Sequence, residues 1–281
     1  VKTFGFSLPL ARPRNVPPFL AALAHALFPV RRRRRLRRST LRVSDAARPS
    51  AGQHPGADPV HLGTLEEVLD VVLQACVSRP LEVVEERTPE SAHRTIVGIA
   101  GSPGAGKTTI GELLVERLGA GAQLVSMDGF HLAQTRLVEL GRRDRMGAPD
   151  TFDVAGFVEL LASLRFSAES VAAPGFDRVT EEAVPGAVRV APDTRVVVVE
   201  GNYLLHDDGG WEAVAPLLDV SLFVAVGREI RLARLVERHE RFGKSGPDAR
   251  AWALGPDEAN ARLVEATSSR ADYILHLGPL G

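Results

Sequence analysis

Apolar residues along this chain follow two rhythms. Thr95-Ile96-Val97-Gly98-Ile99-Ala100 and Val196-Val197-Val198-Val199 are consecutive and largely β-branched, which predicts strands buried on both faces. Leu62, Leu65, Val68, Leu69, Val72 and Leu73 instead recur at helical spacing, and Thr64 followed three residues on by Glu67 predicts a capping box in front of that helix. Shorter apolar runs predict strands at Gln123–Met127, Ser170–Ala173, Val188–Val190, Val220–Val226 and Tyr273–Leu275. Helices are expected at Ile110–Leu118, Leu132–Leu140, Val154–Leu164 with Asp153 as N-cap, Trp211–Leu217, Arg228–Arg241 and Asp257–Ser268. Pro174-Gly175-Phe176-Asp177-Arg178 is expected to close the short extended segment before it. Strands alternating with helices predict an α/β fold, a central parallel sheet with helices on both faces.

Charge changes this picture at one end. Residues 1–58 hold twelve Lys and Arg, among them Arg31 to Arg35, against Asp45 and Asp58, while the remainder holds 22 basic and 33 acidic residues. An acidic body lacks the electrostatic footprint of a nucleic-acid-binding domain. Val16 to Val30 is apolar but broken by Pro17, Pro18 and Pro29 and is too short to span a bilayer. The division expected is a basic, disordered extension at 1–58 and one catalytic domain at 59–281. A membrane-surface or nucleic-acid arm is the alternative for the extension. The single cysteine, Cys76, excludes an internal disulfide framework, fits a reducing, cytoplasmic setting, and reads as a small core residue.

The chemistry is concentrated where strands end. The strand from Thr95 runs into Gly101-Ser102-Pro103-Gly104-Ala105-Gly106-Lys107-Thr108-Thr109, which fills the G-x-x-x-x-G-K-[ST] pattern and opens a helix. Glycines let successive backbone N–H groups turn inward on phosphate oxygens, and the helix N-terminus adds a positive dipole. Lys107 is suited to the β/γ-phosphates and the Thr108 hydroxyl to Mg²⁺. Asp128 follows the second strand and Glu200 the Val196 run, so both carboxylates fall at the carboxyl ends of parallel strands, where open α/β sheets bind ligands. Glu200 is the second expected Mg²⁺ group. Arg231, Arg234, Arg238 and Arg241 recur on one helix, with Phe242-Gly243-Lys244 beyond as the hinge of a lid.

These segments resemble the phosphoribulokinase/uridine kinase family of P-loop kinases, which also holds bacterial-type pantothenate kinase. The resemblance rests on GSPGAGKTT at 101–109, MDGFHL at 127–132, PDTFD at 149–153, PGFDR at 174–178, EGNYLL at 200–205 and the arginine-bearing segment 231–244. Within the family, the chain looks most like a bacterial nucleoside/nucleotide-kinase-like group, some of whose members carry the name fructose transport system kinase. The resemblance implies a three-layer P-loop NTPase fold with a helical lid, and transfer of the γ-phosphoryl of Mg·ATP to a hydroxyl of a nucleoside, sugar or pantothenate-like acceptor. It implies Asp128 as base toward that hydroxyl, Glu200 near Mg²⁺, and Arg238 and Arg241 in the lid. Uridine kinases carry serine and tyrosine where this chain has Gly129 and His131, which weighs against uridine itself.

Around the acceptor, His131 is expected as a hydrogen-bond donor, with Arg145, Asp150, Asp177 and Arg178 in flanking loops; a local Asp177–Arg178 ion pair is the bland alternative. The partner expected is a small-molecule alcohol, with no nucleic acid on the core domain and no membrane span; a homodimer is left open. A regulatory GTPase is disfavoured, because Asn15, Asn202 and Asn260 are the only asparagines and none precedes a lysine. An ATP-binding sensor or transport accessory without turnover is the rival function.

Overall fold

The computed structural model describes residues 58–78 and 94–277. Nearly all of the basic segment at 1–58 lies outside them, as does the polar connection from 85 to 93. Six parallel strands form one sheet: β1 (Val60–Leu62), β2 (Thr95–Ala100), β3 (Ala122–Ser126), β6 (Val196–Gly201), β7 (Val220–Val226) and β8 (Tyr273–Leu277), in the order β1-β8-β7-β2-β6-β3. The strand β1 falls in the stretch read from sequence as the approach to a helix; its three residues pair with Tyr273, Ile274 and Leu275. A second, two-stranded antiparallel sheet pairs β4 (Val171–Asp177) with β5 (Glu182–Val190).

All six residues of β2, and all six of β6, are buried, as expected for strands covered on both faces. Alternation divides their side chains. Ile96, Val197 and Val199 join a core with Phe157, Leu160, Leu161 and Leu164 of α4 (Val154–Phe166) and with Tyr203 and Trp211. On the opposite face, helix α2 (Lys107–Leu118) approaches closely at Gly111, where a Cβ would stand 2.7 Å from Leu124 and 3.7 Å from Val198. Helices α1 (Leu65–Ser78), α3 (Gln134–Glu139), α5 (Arg228–Arg241), α6 (Gly246–Trp252) and α7 (Glu258–Glu265) complete the regular helices among the described residues, and a π-helical turn, Ala253–Asp257, joins α6 to α7.

Both anticipated caps are present. Thr64 Oγ1 accepts from Glu67 N at 3.2 Å while Glu67 Oε2 accepts from Thr64 N at 2.9 Å, and Asp153 Oδ1 accepts from Gly156 N at 3.0 Å.

Three expectations need correction. The segment Pro174–Arg178 does not end the strand: β4 runs to Asp177, a register shift between Ala173 and Gly175 absorbs Pro174, and β5 is nine residues rather than three. Trp211–Leu217 is two short 3₁₀ turns, with Pro216 in the second. Cys76 is half-buried on α1 rather than packed in the core, and burial pushes its thiol up. The most deeply placed charge was unforeseen: Arg94 is 1% exposed, and its guanidinium donates to the carbonyls of Leu164, Ser167, Glu169 and Ala191. It thereby ties the end of α4 and the start of β4 to the entry of β2 and the turn after β5.

Candidate active site

Strand β2 lies between β6 and β7, so chain connections leave it on opposite sides and a crevice opens at the carboxyl ends of the strands. The phosphate-loop sequence occupies that crevice. Gly101, Gly104 and Gly106 have φ of 151°, 78° and 97°. A Cβ at Gly101 would stand 2.8 Å from the Val224 carbonyl, and one at Gly104 2.8 Å from the Arg231 carbonyl. The loop is therefore pressed against β7 and α5. Helix α2 begins at Lys107 with no side-chain cap, which leaves its first N–H groups to an outside acceptor. Backbone curl, close approach and an uncapped helix start form a cradle that fits a phosphate chain.

Lys107 is buried at 8% exposure, and each of its three ammonium protons has an acceptor: the carbonyls of Gly101 at 2.8 Å and Ser102 at 3.2 Å, and Asn202 Oδ1 at 2.7 Å. Burial pushes its pKa down to about 8, against the pull of Glu200 and Asp128 and with Arg238 and Arg178 pressing the same way. Thr108, next in the chain, is exposed.

Glu200 is 4% exposed and accepts from the Ser126 hydroxyl at 2.5 Å; the same Ser126 Oγ accepts from Asp128 N at 3.2 Å. Burial, then the neighbouring Asp128, holds the Glu200 carboxyl above the ordinary range, against Lys107 and the Ser126 bond. Asp128 shifts the other way. Burial works against its charge, but Arg178, then His131, Lys107 and Arg238, outweigh burial and keep it below the usual carboxylate range. Arg178 Nη2 donates to Asp128 Oδ2 at 2.8 Å. The two carboxylates of this crevice thus shift in opposite directions.

His131 lies between Phe152 and Phe176, with ring centroids 4.1 and 4.7 Å away, and its Nδ1 stands 2.8 Å from the Asp128 carbonyl oxygen. A carbonyl only accepts, so Nδ1 carries the proton, and burial lowers the imidazole pKa. The neutral ring then offers Nε2 as an acceptor, the reverse of the donor role read from sequence.

The arginines of α5 do not act as one face. Arg231, 2% exposed, turns inward to Glu265 at 2.9 Å and Glu258 at 3.5 Å. Arg234 reaches back to the Gly104 and Ala105 carbonyls at 3.4 and 3.3 Å. Arg241 is exposed and pairs with Glu237 at 2.9 Å. Arg238 alone of the four faces the cluster without an ion pair among the described residues. Burial and Arg178 disfavour its charge, while Asp257, Asp128 and Glu200 support it.

The flanking loops are also rearranged relative to expectation. Arg145 and Asp150 satisfy each other, at 2.5 and 2.6 Å, with Arg142 joining at 3.3 Å, so neither is a free acceptor-binding group. Asp177 caps its own turn through Val179 N at 2.8 Å, and its neighbour Arg178 pairs with Asp128 instead. Glu181, at φ 54°, meets Arg143 at 2.6 Å and Lys244 at 3.6 Å, and Lys244 sits 4.7 Å over the Trp252 ring. Beneath His131, Phe152 packs edge-on to Tyr203 and Trp211; the Tyr203 hydroxyl donates to Gly147 O at 2.6 Å and the Trp211 indole to Pro149 O at 3.1 Å. Asn202, Ser126 and the Phe152–Phe176 sandwich went unnoticed in the sequence. Asn202 could have been suspected from its place one residue beyond Glu200-Gly201.

No three His, Cys, Asp or Glu side chains among the described residues converge as a metal site. No helix among the described residues is long and apolar enough to cross a membrane.

A parallel sheet with a glycine-rich loop and buried lysine at its central crevice defines a P-loop kinase-type α/β protein. The phosphoribulokinase/uridine kinase family profile matches residues 96–279, and the chain belongs to that family. An ATP-dependent kinase-like protein of Aspergillus versicolor is 40% identical over 159 residues, 53% of this chain and 87% of that protein. The uncharacterized protein YggC of Escherichia coli is 34% identical over 198 residues, 68% of this chain and 81% of that one. The crystal structure of a candidate fructose transport system kinase from Silicibacter sp. TM1040 is similar with a TM-score of 0.65 and 39% identity, over 75% of this chain and 98% of that one.

Proposed function

We propose that the protein is an ATP-dependent kinase that phosphorylates a hydroxyl of a small molecule, with a nucleoside, sugar or pantothenate-like alcohol as acceptor. The observation that carries this reading is the grouping of Lys107, Asp128, Glu200, Arg178 and Arg238 within one electrostatic cluster beside the phosphate loop. Bound Mg·ATP would supply the transferable phosphoryl group and a divalent charge over its oxygens.

Phosphoryl transfer leaves little covalent work to the protein, so positioning and charge carry most of the rate. The loop N–H groups from Gly104 to Thr109 bind phosphate, and Lys107 neutralises it. Thr108 and Glu200 are the oxygen donors suited to Mg²⁺. Asp128, kept ionised chiefly by Arg178, orients the acceptor hydroxyl and takes its proton. Arg238 balances charge on the migrating group, and His131 Nε2 accepts a hydrogen bond from a second group on the acceptor. The arginine-bearing segment from Arg231 to Lys244 acts as the lid that closes over the crevice and excludes water, which would otherwise compete as acceptor. Arg241 has no part in this scheme.

The test is ADP formation from Mg·ATP with a panel of pentoses, hexoses, nucleosides and pantothenate, run beside Asp128→Asn. Turnover stimulated by one acceptor and lost in the variant supports the kinase. Tight ATP binding with no acceptor-dependent turnover anywhere in a wide metabolite screen would favour the sensor reading instead.

A further inference from the structure

We infer that Asn202 is a positioning residue that holds Lys107 on the phosphate loop and keeps it from collapsing onto Glu200 or Asp128. The inference rests on the reading of the loop as an ATP site.

An ammonium has three protons and no directional preference beyond them. Two are taken by the Gly101 and Ser102 carbonyls, which are fixed by the loop itself. The third has competing claimants: Glu200 and Asp128 both attract Lys107, being carboxylates of the same crevice. In a buried site, a direct lysine–carboxylate pair would be strong, because few waters screen it. Yet that proton goes to a neutral amide oxygen, Asn202 Oδ1 at 2.7 Å, and the ammonium makes no direct ion pair with either carboxylate.

The backbone explains how. Asn202 stands two residues past Glu200, where β6 ends at Gly201, and a Cβ at Gly201 would be 2.6 Å from Met127 Cβ. The chain is thereby pinned against the start of the Asp128 turn as it leaves the sheet. Glu200 is meanwhile occupied by Ser126 on the neighbouring strand, and Asp128 by Arg178. Lys107 and the two carboxylates thus each have a partner other than one another. The consequence is a lysine free to exchange toward phosphate, and carboxylates not neutralised by it.

The experiment is calorimetric titration of the full chain with Mg·ATP and Mg·ADP, for wild type, Asn202→Ala, Lys107→Met and the double variant. Thermal unfolding of each is followed alongside. A hydrogen bond to a charged group corresponds to on the order of tenfold or more in affinity. Asn202→Ala is therefore expected to weaken ATP binding by roughly tenfold in the wild-type background and by less than about twofold when Lys107 is already Met. Should Asn202→Ala not fold, Asn202→Leu preserves the volume while removing the acceptor, and is read in its place.

Equal losses in both backgrounds, or no loss in either, would overturn the inference while wild-type ATP binding left the functional reading standing. Failure of the wild type to bind either nucleotide would overturn both.

Discussion

Arg178 and Asp128 meet at 2.8 Å from two different sheets: the carboxylate follows β3 of the parallel sheet, and the guanidinium follows β4 of the hairpin. Removing the guanidinium, as in Arg178→Met, leaves burial with less opposition and raises the Asp128 pKa. A base works only when ionised, so activity is present above its folded pKa and lost as pH falls through it. The acid limb of the pH–rate profile is therefore expected at higher pH in Arg178→Met than in wild type. The pair also stabilises the fold above the ordinary aspartate pKa, a contribution that disappears as pH falls through the depressed value. Superimposable acid limbs would remove Arg178 from this role.

Arg238 and Arg241 lie three residues apart and should differ sharply. Arg238→Ala is expected to lower kcat by roughly three orders of magnitude or more, the range seen when an arginine balances charge in phosphoryl transfer. Arg241→Ala removes an exposed pair with Glu237 and should change stability by less than about 1 kcal/mol and kcat hardly at all. Steady-state kinetics of the two variants, side by side, decide the matter.

The tautomer of His131 makes a directional prediction. Asn in its place can offer N–H near Nδ1 but nothing near Nε2, while Gln can place an oxygen near Nε2. His131→Gln is expected to keep the acceptor KM near wild type, and His131→Asn to raise it by roughly 2–10-fold, the worth of one neutral hydrogen bond. Equal KM values for both variants would show that Nε2 is not read by the acceptor.

Arg94 tests the scaffold apart from the chemistry. Its loss strands several carbonyls that the guanidinium now satisfies, so Arg94→Met should cost at least about 3 kcal/mol. Urea unfolding measures this. Nucleotide affinity, where the variant is folded, should be unaffected.

Much of the frame is legible in the sequence because it depends on local pattern. The β2 run, the glycine loop, the Thr64–Glu67 box and the Asp153 cap are each specified within a few residues, and all occur where the pattern puts them. What the pattern does not hold is partner choice across the chain. Arg178 could pair with its neighbour Asp177 or with Asp128 fifty residues earlier, and only the hairpin's approach to the Asp128 turn selects the second. Four arginines at helical spacing looked equivalent because spacing reports azimuth and not surroundings; Glu258, Glu265 and the loop carbonyls distinguish them. Likewise, Arg145 and Asp150 are each suitable for binding an acceptor until they bind each other. β4 and β5 were underestimated because Pro174 and Gly175 read as punctuation, whereas a bulge accommodates both.

The chain has two tryptophans, and their surroundings differ. Trp211 is fully buried in the aromatic floor against Phe152, which also meets His131; Trp252 lies under Lys244, beside His239 at the far end of α5. The protein therefore carries two intrinsic fluorophores with separate assignments. Emission from a Trp252→Phe variant would report the surroundings of Trp211, and emission from a Trp211→Phe variant those of Trp252 and Lys244, so the two regions can be followed independently without a dye.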